Sequence, residues 1–159
     1  MPAEILKHLQ NEISSSLKKT DSDSHAGMDI AICCFDLKKN EIEFAGAKRP
    51  LWIIRNNEMI IYAADKFSIG SQYYENESFT NHIINIQTGD AIFIFSDGFP
   101  DQFGGENGKK LLTNNFKELL LSIQSKNINE QGKLLRDHFQ SWKGSNEQVD
   151  DVMVIGIKI

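Results

Sequence analysis

The chain has 159 residues, 40% of them hydrophobic and 25% charged, with a formal net charge of -5. That length suits a single domain, 1–159, with a substantial core, and the acidic balance, with Lys and Arg scattered rather than gathered in a stripe, excludes a nucleic-acid-binding surface. No apolar run approaches the ~18 residues that cross a bilayer, and Met1-Pro2-Ala3-Glu4 does not open a signal peptide, so a cytoplasmic location without a membrane partner is expected.

Ile5, Leu6, Leu9, Ile13 and Leu17 fall on one stripe and predict an amphipathic helix over 3–18. The polar, small-residue stretch 20–27 ends it. From Met28 the texture is β: 28–35 predicts a strand, Lys38-Lys39-Asn40 a turn, and 41–45 alternates as a half-exposed partner should. Residues 51–55 and 58–62, on either side of Asn56-Asn57, predict a second hairpin. The stretch 64–81 has no period and is expected to be a long surface connection, a place for partner contacts.

Residues 82–87, a turn at Thr88-Gly89-Asp90 and 91–95 predict a third hairpin. Its second strand carries Ile92, Phe93, Ile94 and Phe95 in succession, the mark of burial on both faces. The strand stops at Ser96-Asp97-Gly98. The glycine-rich segment 98–110 is expected to be a second place for partner contacts, with Gly104 to Lys110 a flexible surface loop. Leu111, Leu112, Phe116, Leu119, Leu120 and Ile123 predict one helix; Leu134, Leu135, His138, Phe139 and Trp142 predict another, closed by Lys143-Gly144. The final run 152–159 predicts a central strand. Strands, then helices, then a closing strand indicate an α+β domain, antiparallel sheets flanked by helices, rather than a parallel βαβ one.

Cys33 and Cys34 are adjacent in a strand, so their side chains point to opposite faces. They are expected to be reduced core thiols rather than a disulfide or a metal pair. The four histidines show no ligand spacing, and Ser96 lacks the Gly-x-Ser-x-Gly of a nucleophile elbow. Carboxylates are the better candidates. Mg²⁺ and Mn²⁺ prefer oxygen ligands, and Mg²⁺ needs only one or two protein carboxylates plus water. Asp97 and Asp150 suit such a site, with Asp151 and Asp101 near enough in sequence to assist. In a two-metal hydrolase, ions about 3.5–4 Å apart activate a bridging water. On spacing alone the plainer alternative stays open and ahead: Asp97-Gly98 a turn, Asp150-Asp151 the start of a strand.

Taken in order, Phe44 to Leu51, Ile69-Gly70, Gly89 to Gly105 and Gln148 to Val154 resemble consecutive motifs of the SpoIIE-type serine phosphatases, the bacterial branch of the metal-dependent type 2C protein phosphatases. The resemblance covers nearly the whole chain. It implies an α-β-β-α sandwich, two Mn²⁺ or Mg²⁺ ions, and hydrolysis of phosphoserine or phosphothreonine on a signalling protein such as an anti-sigma-factor antagonist or a response regulator. It assigns Asp97 and Asp150 as metal ligands, through the Ser-Asp-Gly motif and the first residue of the Asp-Asp pair. Gly98 belongs to the first motif, Asp151 to the second, and Asp101 stands where the family usually has an acidic residue.

The family's early metal-binding aspartate, its Asp-x-x-Gly-His-Gly-like segment and its first helix have no counterpart here. The N-terminal strands of the domain are therefore expected to be missing and the dinuclear site to lack its bridging carboxylate. The chain alone is expected to hydrolyse phosphate esters feebly or not at all. The alternative is a catalytically silent protein-binding module that keeps the phosphatase fold. Missing strands would leave an open sheet edge, so self-association through that edge is also expected.

Overall fold

The computed structural model describes residues 1–20, 27–70 and 77–159, with 16–20 described by their backbone alone. The expected polar loop after the first helix, with His25, and the middle of the 64–81 connection lie outside the described residues. The chain divides into two compact units, residues 1–51 with 61–87 and residues 52–60 with 88–159.

In the first unit, helix α1 (Pro2–Thr20) accompanies strands β1 (Ile30–Asp36), β2 (Glu41–Ala47) and β5 (His82–Asn85), which form an antiparallel sheet in the order β1-β2-β5. The first hairpin is as the sequence predicts. Its turn is built by Asp36, whose carboxylate accepts from the Lys38 and Lys39 backbone N–H groups, and by Asn40 in the left-handed region at φ 53°. The helix buries Ala3 and Leu6 in a cluster with Ala45, Ala47, Phe67, Ile69 and Phe79. The stripe is rotated from the expected one: Ile5 is exposed, while Gln10 and Ser14 are buried. Gln10 is tolerated inside because its side-chain oxygen accepts from the Gly70 N–H at 2.8 Å.

The two thiols are free and do face opposite ways, but they are not core residues. β1 is an edge strand, so Cys34 is exposed and Cys33 half-buried. Burial, aided by the neighbouring Cys34, pushes the Cys33 thiol up to about 11.

The second unit carries a four-stranded sheet, β4 (Glu58–Tyr62), β3 (Leu51–Arg55), β6 (Ala91–Phe95) and β9 (Val154–Lys158), in that order. Asn56 and Asn57 both take positive φ, 50° and 67°, which a two-residue hairpin turn of the right twist requires. Helices α3 (Thr113–Ile123) and α4 (Ile128–Lys143) supply Phe116, Leu120, Ile123, Leu135 and Phe139 to a core with Trp52, Ile54, Phe93, Phe95 and Phe99. Asn127 caps α4 by accepting from the Glu130 N–H, and Gly144 closes it at φ 54°. At the start of β6 the buried Asp90 takes both arms of the Arg55 guanidinium, at 2.9 and 2.7 Å.

Two expectations about pairing fail. The hairpin expected from 82–87 and 91–95 does not form: β5 pairs with β2 in the first unit's sheet, whereas β6 pairs with β3 and β9 in the second's. Residues 88–90 are a crossing between sheets, because each strand's partner is chosen by long-range packing rather than by the nearest turn. The last strand is not central either. Among the described residues β9 pairs on one side only, with β6, and forms the sheet's edge.

Candidate functional site

β6 is held centrally, so the residues that follow it are delivered to a fixed point, and one serine then stitches that point to the approach to β9. The Ser96 N–H donates to the Met153 carbonyl at 3.0 Å, continuing the β6–β9 ladder. Its hydroxyl donates to the Asp151 carbonyl at 2.7 Å and accepts from the Met153 N–H at 2.9 Å. Asp97 follows in helical geometry, φ -73° and ψ -13°, and opens the single-turn helix α2 (Gly98–Asp101) without capping it through its side chain.

Gly98 is buried, and a Cβ there would lie 2.4 Å from the Asp151 carbonyl oxygen. Only glycine lets the two backbones come this close. The Ser-Asp-Gly corner and the Asp150-Asp151 pair, 53 residues apart (97 to 150), are thus in contact through Ser96, Gly98 and the Asp151 backbone. Asp97 is half-buried, and Asp150 and Asp151 are exposed. An Asp150 carboxylate oxygen accepts from the Asp151 N–H at 2.7 Å, and its carbonyl accepts from the Gln148 side chain at 2.9 Å.

Asp101 is not brought to this group by any contact on its carboxylate. That carboxylate pairs with Lys110 at 2.9 Å on the surface, while the Asp101 N–H donates to the Asp97 carbonyl. The segment expected to be a flexible loop is built structure. After α2 comes a small hairpin, β7 (Phe103–Gly104) with β8 (Lys109–Lys110), held by Trp142 at the end of α4. The Trp142 indole donates to the Gln102 carbonyl at 2.9 Å and its own carbonyl accepts from the Gly105 N–H at 2.9 Å. A Cβ on Gly104 would fall inside that carbonyl's radius.

The fully buried Gln102 donates its side-chain amide to the carbonyls of Phe103 at 3.0 Å and Glu147 at 2.8 Å, tying the stretch that leads to Asp150 back to α2. Sequence reasoning singled out neither Ser96 nor Gln102 nor Trp142 for these roles. For Ser96 and Gln102 the one signal is position, each lying beside a prominent carboxylate, Asp97 or Asp101; Trp142 has none of that kind.

The corner offers hard oxygen donors from Asp97, Asp150 and Asp151 on two segments joined by the Ser96 hydrogen bonds. Yet among the described residues no group of three or more His, Cys, Asp or Glu is placed to hold a metal ion. The donors present suit a sparse site completed by water; they do not assemble a closed two-metal cage. Among the described residues, no helix is long and apolar enough to cross a membrane.

Comparison with known proteins bears on the family and the fold. The family model for Stage II sporulation protein E (SpoIIE) matches residues 1–159. The chain belongs to the SpoIIE family. A search of curated proteins gives no match. Among solved structures, the SiaA-PP2C domain of Pseudomonas aeruginosa superposes with a TM-score of 0.85 at 23% identity, over 99% of this chain and 61% of that one. The phosphatase domain of the cell-fate determinant SpoIIE from Bacillus subtilis gives 0.59 at 16% identity, over 100% and 73%. The RsbU and RsbW domains of Rv1364c from Mycobacterium tuberculosis give 0.67 at 19% identity, over 91% and 39%.

The fold is therefore that of the PP2C phosphatase domains, mixed helix and antiparallel sheet. This SpoIIE-family chain spans about three-fifths of the SiaA-PP2C chain that it matches.

Proposed function

We propose that residues 1–159 act as a single SpoIIE-like domain whose chemistry is metal-dependent hydrolysis of phosphoserine or phosphothreonine on a bacterial signalling protein, and that this chain by itself holds only part of the catalytic centre. The observation that carries it is the Ser96 and Gly98 stitching, which sets the Asp97 corner against Asp150-Asp151 in a chain of this family. Asp97 and Asp150 would be the ligands of a Mn²⁺ or Mg²⁺ ion. Such an ion, when bound, supplies Lewis-acid polarisation and an activated water. Gly98 keeps the two ligand-bearing segments together, and Asp151 contributes negative field near them, whereas the Asp101 carboxylate is paired with Lys110.

The partner fits a phosphorylated regulator of the anti-sigma-factor antagonist or response-regulator type, in the cytoplasm. The similarity to RsbU and RsbW domains supports a place in signalling. Self-association through an exposed sheet edge is compatible with the same role. The sparse donor set favours one second reading, a catalytically silent binding module that keeps the fold.

Titration calorimetry with Mn²⁺, run on the wild type beside Asp97→Asn and Asp150→Asn, separates the two. Weak binding abolished by either substitution, with feeble hydrolysis of p-nitrophenyl phosphate, is expected. Absence of Mn²⁺ binding together with absence of hydrolysis supports the silent module. Robust turnover that survives Asp97→Asn would overturn the assignment.

A further inference from the structure

Asp97 and Asp150 lie on two segments that run in opposite directions and are tied together at both ends. At one end the Ser96 hydroxyl donates to the Asp151 carbonyl at 2.7 Å and accepts from the Met153 N–H at 2.9 Å. At the other, the Gln102 side-chain amide donates to the Glu147 carbonyl at 2.8 Å. Asp97 sits between Ser96 and Gln102, and Asp150 between Glu147 and Asp151.

The Gln102 tie matters because little else guides the chain into Asp150. No residue of 144–151 is buried, so side-chain packing does not fix this path and hydrogen bonds must. Among the described residues, the other hydrogen bonds made between Gly144 and Val149 reach only the end of α4 or the Asp150 carbonyl. Gln102 is itself anchored. It is fully buried, and its backbone carbonyl accepts from the Leu111 N–H at 3.0 Å and the Trp142 indole at 2.9 Å. Its amide spends the second hydrogen on the Phe103 carbonyl at 3.0 Å, and only the NH₂ end of the group can serve two carbonyls.

We infer that Gln102 is a positioning residue for the metal: its bond to the Glu147 carbonyl holds the Asp150 carboxylate within reach of the ion that Asp97 binds, and so sets the affinity of this centre for Mn²⁺ or Mg²⁺. The inference rests on the reading of Asp97 and Asp150 as ligands. Gln102 acts through the backbone between Glu147 and Asp150 rather than on the ion. Coupling of this kind is reciprocal, so an ion that joins the two segments also keeps the Gln102 tie closed.

A second glutamine separates positioning from plain stability. Gln131 is 1% exposed, and its amide donates to the Gln124 and Lys126 carbonyls at 3.2 and 2.9 Å. Its side-chain oxygen, like that of Gln102, meets no donor among the described residues. The two are alike in burial and in bonding and differ in destination. Gln131 closes the turn between α3 and α4; Gln102 closes the approach to Asp150.

Titration calorimetry with Mn²⁺ on the wild type, Asp97→Asn, Gln102→Met and Gln131→Met tests the inference, beside backbone amide order parameters of the metal-free proteins. Gln102→Met should bind Mn²⁺ about tenfold more weakly, as loss of a partner behind a ligand does, and should lower the order parameters from Glu147 to Asp150. Gln131→Met should lose thermal stability to a similar degree and leave both quantities as in the wild type. In the wild type, Mg²⁺ should slow hydrogen exchange of the Gln102 side-chain amide more than that of Gln131, a comparison that needs no variant to fold.

Mn²⁺ binding that is abolished by Asp97→Asn but not weakened by Gln102→Met overturns the inference and leaves the ligands standing. Equal weakening by Gln102→Met and Gln131→Met, or a Gln102 amide that Mg²⁺ does not protect, overturns it as well. A wild type that binds neither ion overturns the ligand reading itself, and the positioning role falls with it.

Discussion

β6 and β9 are neighbours in one sheet and read alike as apolar strands, yet they live in different environments. β6 has β3 on one side and β9 on the other, and Ala91, Ile92, Phe93 and Phe95 are all buried. β9 has β6 alone, and Ile155 and Ile157 remain exposed. Apolar composition states what a strand could bury. How much it does bury depends on neighbours that the strand's own residues do not specify. The two strands also divide the labour of the site: β6 fixes the Asp97 corner in place, and the segment before β9 brings Asp150 and Asp151 to it.

The sharpest way to break this contrast is truncation on each strand. Phe93 is 1% exposed within the main apolar cluster, so Phe93→Ala should cost about 3–5 kcal/mol of stability through lost burial and a cavity. Ile157→Ala, at a residue 38% exposed, should cost less than about 1 kcal/mol in the monomer. Chemical denaturation at concentrations low enough to exclude association measures both. Equal losses would show that β9 is as fully packed as β6 and that the contrast is unreal.

What the sequence makes legible follows the range of the interactions. The hairpins β1–β2 and β3–β4 depend on local turns, Lys38 to Asn40 and Asn56-Asn57, and both form where predicted. The stop of α4 at Gly144 is equally local. The pairing of β5 with β2 and of β6 with β3 and β9 is not: the turn at 88–90 looks like a hairpin turn, and nothing in those residues reveals that each flanking strand has a better partner elsewhere.

The site divides in the same way. Asp97, Gly98 and Asp150 are visible as a run of family motifs, because motif residues are local in sequence. The fastening by Ser96 and Gln102, the pinning of the glycine-rich hairpin by Trp142, and the diversion of Asp101 to Lys110 are contacts across tens of residues or across a turn, and composition carries no trace of them.

A smaller effect tests the junction between the two strands. Gly98→Ala places a methyl 2.4 Å from the Asp151 carbonyl oxygen, and backbone cannot move aside as a flexible side chain would. One of the two segments must shift, at about 1–3 kcal/mol. Gly132→Ala, where an added Cβ meets nothing on the exposed face of α4, is the control and should be neutral or slightly stabilising. The informative readout is local: amide shifts at Asp151 to Met153 should change in Gly98→Ala while those along β3 stay put. A global, featureless loss of stability would show that the junction is no special point of contact.

The smallest effect extends the contrast to the other unit, where β1 is an edge that carries a thiol on each face. Cys34 is exposed; Cys33 is half-buried, and burial holds its thiol up at about 11. At pH 8, alkylation with iodoacetamide should therefore proceed in two phases, Cys34 first and Cys33 much later, because the thiolate is the reactive form. Linkage gives the sign for stability. The folded state binds the Cys33 proton more tightly than the unfolded chain, whose thiol titrates near 9.0, so the contribution is complete below pH 9 and declines as pH rises toward 11. Cys33→Ser should flatten that alkaline decline, and Cys34→Ser should leave it unchanged. Equal alkylation rates at the two positions would mean that this edge strand shelters neither thiol, against the exposed Cys34 and half-buried Cys33 of the structure.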